Sequence, residues 1–140
     1  MGYEKILIPL DGSELAEVAL IHLGRVTTLE AKVHLISVMT EVPAQVVALT
    51  PQLSFPDPHP EVQARETYLN TIADGLRQSG YETTTEVRTG RVVDAIAEIA
   101  NDGFDLVIIA THRRHGLSKF ILGSVSETLL HDTHCPVLIV

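Results

Sequence analysis

Residues 105 to 140 read DLVIIATHRRHGLSKFILGSVSETLLHDTHCPVLIV, and their reading decides the fold. The run Leu106-Val107-Ile108-Ile109 has the length and β-branched content of a buried parallel strand. A polar stretch from Thr111 to Ser118 follows, carrying two arginines, two histidines and one glycine. Gly123-Ser124-Val125-Ser126-Glu127 then reads as a helix start, with Ser124 as N-cap and Glu127 at capping-box spacing. A second apolar run, Val137 to Val140, closes the stretch behind Cys135-Pro136. A strand that releases a loop, which then delivers a helix N-terminus, is the geometry with which α/β proteins hold anions.

Charge points the same way. The chain is acidic, formally −8, yet Leu106 through Ser126 contains no carboxylate. Arg113, Arg114 and Lys119, three of the ten Lys and Arg residues, fall inside that window with His112 and His115 beside the arginines. A cationic island beside a helix N-terminus is a candidate phosphate site, and a solvated surface loop accounts for the same charges.

The stretch resembles the C-terminal half of a universal stress protein. Nucleotide-binding members of that family carry G-x2-G-x9-G-[S/T] after the fourth strand. The spacing here runs from Ala110 through Arg113 to Gly123-Ser124, so two of the glycines are replaced. Gly116-Leu117-Ser118, Gly123 to Glu127 and Cys135-Pro136-Val137 match as flanks. The resemblance implies an ATP-binding, dimeric, non-catalytic stress-response or signalling domain. ATP, with Mg2+ held through its phosphates, would be met by Pro9, Leu10, Asp11, Val38, Ala110, Thr111, His112, Arg113, Arg114, Gly116, Gly123, Ser124, Val125 and Ser126. Val38 would contact the adenine. The alternative is a family member that binds no nucleotide and acts as a dimeric protein-interaction module.

Outward from that stretch, the rest of the chain supplies three strand–helix steps. Lys5 to Leu10 reads as the first strand, and Asp11 sits at its carboxyl end, where open α/β sheets place ligand contacts. Ser13 is the expected N-cap of a helix reaching about Thr27, with Leu15, Ala16, Ala19, Leu20 and Leu23 at helical spacing. Lys32 to Val38 is a second strand, apolar enough to be covered on both faces. Five of the seven prolines fall between Glu41 and Pro60, so residues 42–60 are expected to form an irregular loop. A helix from Glu61 to about Ser79 would bury Tyr68, Leu69, Ile72, Ala73 and Leu76, and Gly80 would stop it. Tyr81 to Arg88 is the most polar strand and hence the best sheet edge. Arg91 to Asn101 is the third helix, and Gly103 ends it.

The order βαβαβαβαβ implies a single doubly wound α/β domain spanning 1–140, with a five-stranded parallel sheet and helices on both faces. With the polar strand at an edge, the strand order is 3-2-1-4-5, which places the switch point between strands one and four. Asp11 and the Ala110–Ser124 loop then face one crevice.

Other chemistries fail on inspection. There is no G-x-G-x-x-G, G-x4-G-K-[S/T], H-E-x-x-H or G-x-S-x-G. The pairs His112/His115 and His131/His134 are weak metal candidates, the first because its arginine neighbours oppose a cation, and neither a catalytic residue nor a metal ligand is assigned. An adenylate-forming enzyme of related fold would need a phosphate loop after the first strand, and Leu10 to Glu14 is too acidic for one. Negative charge argues against nucleic acid, and no apolar run approaches the ~20 residues of a membrane span. The lone Cys135 reads as a buried small hydrophobe, and the expected compartment is the cytoplasm. The apolar last strand, Val137 to Val140, is the expected homodimer contact.

Overall fold

A computed structural model describes residues 2–40, 60–111 and 124–140. Its strands are β1 (Tyr3–Pro9), β2 (Thr27–Met39), β3 (Glu82–Thr89), β4 (Leu106–Ile109) and β5 (Val137–Ile139). Among the described residues four helices alternate with them: α1 (Glu14–Val26), α2 (Pro60–Gln78), α3 (Val92–Ala100) and α4 (Ser124–Asp132). The strands form one parallel sheet in the order β3-β2-β1-β4-β5. This is the order expected from the polarity of β3, which does lie at an edge.

Alternation along the central strands builds a core on each face. Ile6 and Ile8 of β1, Val33 and Leu35 of β2 and Ile108 of β4 pack with Ala19, Leu23, Leu69 and Ala73 of α1 and α2. Leu7, Ile36, Val107 and Ile109 pack on the opposite face with Ile96, Ile99 and Leu129 of α3 and α4. Every apolar position anticipated on α2 joins the first cluster. Both faces of the sheet are thus dry, and for that reason β1 and β4 are apolar at every central position.

Local signals set most boundaries. Ser13, extended at φ −85° and ψ 149°, accepts a hydrogen bond on its side chain from the Ala16 amide at 3.2 Å. α2 ends in a Schellman turn: Tyr81 N–H donates to the Leu76 carbonyl and Gly80 N–H to Arg77, each at 3.0 Å, with Gly80 at φ +101°. That positive φ is accessible to glycine at little cost.

Four expectations need correction. Pro60 is helical rather than part of the irregular loop, because proline at a first helical turn forfeits only an amide that has no intrahelical partner; the remaining 42–59 lie outside the described residues. Ser124 is itself helical, so it is not the cap, and any cap lies outside the described residues. β2 begins at Thr27 instead of Lys32, since Thr27 pairs with Tyr3 before the register jumps to Lys5 opposite Lys32. Cys135 is half-buried against the second cluster rather than fully buried, and burial pushes its thiol pKa up.

A polar ladder closes the β3 edge. His34 on β2 contacts Thr84 at 2.7 Å and Glu86 at 3.0 Å through its two ring nitrogens. Arg88 donates to Glu86 and reaches Glu98 of α3 at 3.4 Å. Burial alone would push Glu86 up, but hydrogen bonds from Arg88 and His34 outweigh it and hold the carboxyl below its usual 4.5. A depressed folded pKa contributes stability above the unfolded value that is lost as pH falls through the folded one. Acid titration followed by circular dichroism is therefore expected to lose stability below about pH 4.5, and Glu86→Gln to lose less of it there. An identical acid limb in the variant would refute the assignment.

Candidate functional site

The carboxyl ends of β1 and β4 part company at the switch point, because the chain leaves β1 toward α1 on one face and reaches α4 on the other. A cavity of about 300 Å3 opens there. It is lined by Pro9, Leu10, Asp11 and Ala16 from β1 and α1, Ile36 and Val38 from β2, and Val92 and Ile96 from α3. Ile109, Ala110 and Thr111 from the end of β4 and Ser124, Val125 and Ser126 from the start of α4 complete it. The volume is at the small end for ligand pockets, and the mostly apolar wall with a few polar groups is their usual make-up.

All nine of the anticipated site residues that are described line this one cavity: Pro9, Leu10, Asp11, Val38, Ala110, Thr111, Ser124, Val125 and Ser126. They come from sequence positions more than a hundred apart, and only the parallel crossovers bring them together. His112, Arg113, Arg114, Gly116 and Gly123 lie outside the described residues.

Polar groups gather at two points of the rim. Asp11 accepts from the Ser13 amide at 2.9 Å and from the Ser13 hydroxyl, so one carboxylate oxygen is tied to the capping turn. Gly12 between them has φ +89°, which lets the chain turn sharply from strand to helix. Across the cavity, α4 presents its first turn, where the amides of a helix have no intrahelical partner. Thr111 is buried and ties β4 to β5, its amide donating to the Val140 carbonyl at 3.0 Å. Among the described residues Asp11 is the only carboxylate in the lining, and no group of three metal-ligating side chains is present.

Ala16, Ile36, Val92, Ile96 and Ile109 also line the cavity and were not anticipated. Each reads in the sequence as ordinary core. For Val92 and Ile96 a signal existed: α3 follows the end of β3 directly, so its first apolar turns must stand at the carboxyl edge of the sheet, beside the switch point.

The family model for the universal stress protein family matches residues 2–140. The chain belongs to the universal stress protein family. Universal stress protein MJ0531 of Methanocaldococcus jannaschii is 30% identical over 159 residues, covering 99% of this chain and 82% of its own. Universal stress protein Sll1388 of a Synechocystis species is 30% identical over 152 residues, covering 100% and 99%. Among solved structures, that of MJ0577 superposes with a TM-score of 0.81 at 30% identity, covering 100% of this chain and 96% of the other. A universal stress protein in complex with cAMP superposes with a TM-score of 0.65 at 21% identity, covering 100% and 98%. The universal stress protein fold thus extends over the whole described sheet. Among the described residues no helix is long and apolar enough to cross a membrane.

Proposed function

We propose that this universal stress protein binds ATP in the switch-point cavity and works as a dimeric signalling domain, the nucleotide serving as a signal rather than a substrate. The observation that carries the reading is the cavity itself. It combines an apolar slot (Ile36, Val38, Val92, Ile96, Ile109) of a kind that accepts a planar base with Asp11 and a helix start at its rim. The family relative bound to cAMP is a precedent for an adenine nucleotide on this fold. In this reading Val38 meets the adenine, Asp11 lies beside the nucleotide, and the α4 first turn together with Arg113 and Arg114 receives the phosphates. Among the described residues no carboxylate pair lines the cavity: Asp11 is the sole carboxylate there, and a general base needs both placement and a matched pKa. Mg2+ would be held through the phosphates. The dimer forms through β5.

The test is calorimetry and thermal shift with Mg-ATP on the wild type and on Arg113→Gly. At a hundredfold excess over Kd the wild type should gain about 2.7 kcal/mol. An arginine at a left-handed position costs roughly 1–2 kcal/mol, and its charge-assisted bond to phosphate is worth a similar amount. Arg113→Gly therefore tightens binding where backbone conformation dominates and loosens it where charge does. The family's replaced glycines favour a second reading, the interaction module, and it prevails if neither protein shifts with millimolar nucleotide. Multiple turnover on the order of 10 per second, abolished by Asp11→Ala, would overturn the non-catalytic reading.

A further inference from the structure

Behind the cavity, on the other face of the sheet, α2 makes two polar contacts that its role in the core does not require. Arg65 Nη1 donates to Ser37 Oγ at 2.8 Å. Ser37 is fully buried and stands between Ile36 and Val38, both of which line the cavity from the opposite face of β2. The same guanidinium lies against the turn after β1: a Cβ built on Gly12 would come within 4.0 Å of its Cζ and Nη1. One turn further along α2, Tyr68 donates its hydroxyl to Glu17 Oε1 of α1 at 3.0 Å. Burial, that hydrogen bond and the negative charges of Glu17 and Asp11 push the Tyr68 phenol well up, so it remains a neutral donor. A second, open cavity of about 500 Å3 separates the α2 side chains from the strand ends, and Asp11 lines both cavities.

We infer that Arg65 is a positioning residue for the switch-point site, holding the Ile36-Ser37-Val38 wall and the Asp11-Gly12 turn in register from the far side of the sheet. The inference rests on the nucleotide-binding reading above for its ligand, though not for its geometry. Two backbone bonds show what is being held. Leu10 N–H donates to the Ile36 carbonyl and Gly90 N–H to the Met39 carbonyl, each at 2.8 Å, so the residues on either side of Ser37 carry the junctions to β1 and to the turn after β3. β2 ends there, and no described strand continues the ladder beyond Met39. Without the guanidinium, the buried Ser37 hydroxyl would lose its donor at the point where the wall is least supported. A wall that moves by a fraction of an ångström loses packing against whatever occupies the cavity.

The experiment uses the full chain and three variants, Arg65→Ala, Arg65→Lys and Ser37→Ala. Titration with Mg-ATP and with adenosine, well below the melting temperature, should show Arg65→Ala weakening both by roughly tenfold, the loss of one charged hydrogen bond. Equal losses are expected because the wall carries the base and not the phosphates. Arg65→Lys should recover part of the loss, since an ammonium can still donate to Ser37. Combining Ser37→Ala with Arg65→Ala should be no worse than Arg65→Ala alone. In the ligand-free protein, amide hydrogen exchange at Leu10 and Gly90 should accelerate in Arg65→Ala and not in Arg65→Lys. Wild-type affinity in Arg65→Ala overturns the inference, even if its melting temperature falls. So does a loss confined to ATP, which would make Arg65 a direct phosphate contact. If the wild type binds neither ligand, the nucleotide reading fails on its own account and the exchange measurement alone decides: unchanged Leu10 and Gly90 protection overturns the positioning role.

Discussion

Val38→Trp is expected to abolish nucleotide binding while leaving the protein folded. Val38 is half-buried at the carboxyl end of β2, packs at the margin of the second core cluster and lines the cavity. An indole there enters empty space, so the strain of overpacking, typically ~1–3 kcal/mol in a filled core, should stay at or below the low end of that range. The same indole occupies the slot proposed for the base. An aromatic ring buries about 150 Å2 or more, about 4 kcal/mol at ~25 cal/mol per Å2, so exclusion of the base weakens binding by at least roughly a hundredfold. Calorimetry with Mg-ATP and with adenosine on Val38→Trp, beside far-ultraviolet circular dichroism, checks both halves. Near-native affinity in a folded variant would place the ligand elsewhere.

Ile139→Pro is expected to convert a dimer to monomers. β5 has β4 on one side and no described strand on the other. The carbonyls of Pro136 and Val140 accept from Val107 and Thr111, and the Val140 amide donates to Ile109. Successive residues of a parallel strand turn their backbone groups to alternate sides, so those of Val137 and Ile139 face the open edge. Side chains from Val137 to Val140 are all half-buried and apolar, with no charge inside the run to deter pairing. Proline at 139 removes an outward donor and no bond to β4, which separates loss of pairing from loss of fold. Leu138→Lys acts more bluntly: Leu138 packs on the first core cluster and Ile139 on the second, but only the lysine would bring a charge against the core. Sedimentation should give a dimer for the wild type and monomers for Ile139→Pro. A wild type that sediments as a monomer at micromolar concentration sinks the dimer.

The two predictions draw on opposite kinds of information. The edge position of β5 follows from what the chain says locally: a polar third strand, four apolar strands and helices of 3.6-residue period between them. Parallel crossovers have one hand, so once β3 is an edge, few strand orders remain. The capping serine at 13 and the glycine stop at 80 are equally local, because each acts within one helical turn of itself. The same local signals bring Asp11 and the Ala110–Ser124 loop to one crevice, whereas Val38 enters the site only through the family resemblance.

The depth of the site belongs to the tertiary structure. Val92 and Ile96 have the spacing of any core helix, and nothing in that spacing says that one end of the stripe borders a cavity. The first residues of β2 belong to the sheet only because Tyr3 is there to pair with Thr27. Arg65 reads as a solvated helix residue until β2 places Ser37 beneath it. Element order is written in short-range periodicity, so one chain segment at a time reveals it. The walls and supports of the cavity are made by side chains whose partners lie on other elements. Burial and hydrogen-bond geometry assign those partners only after the sheet has closed.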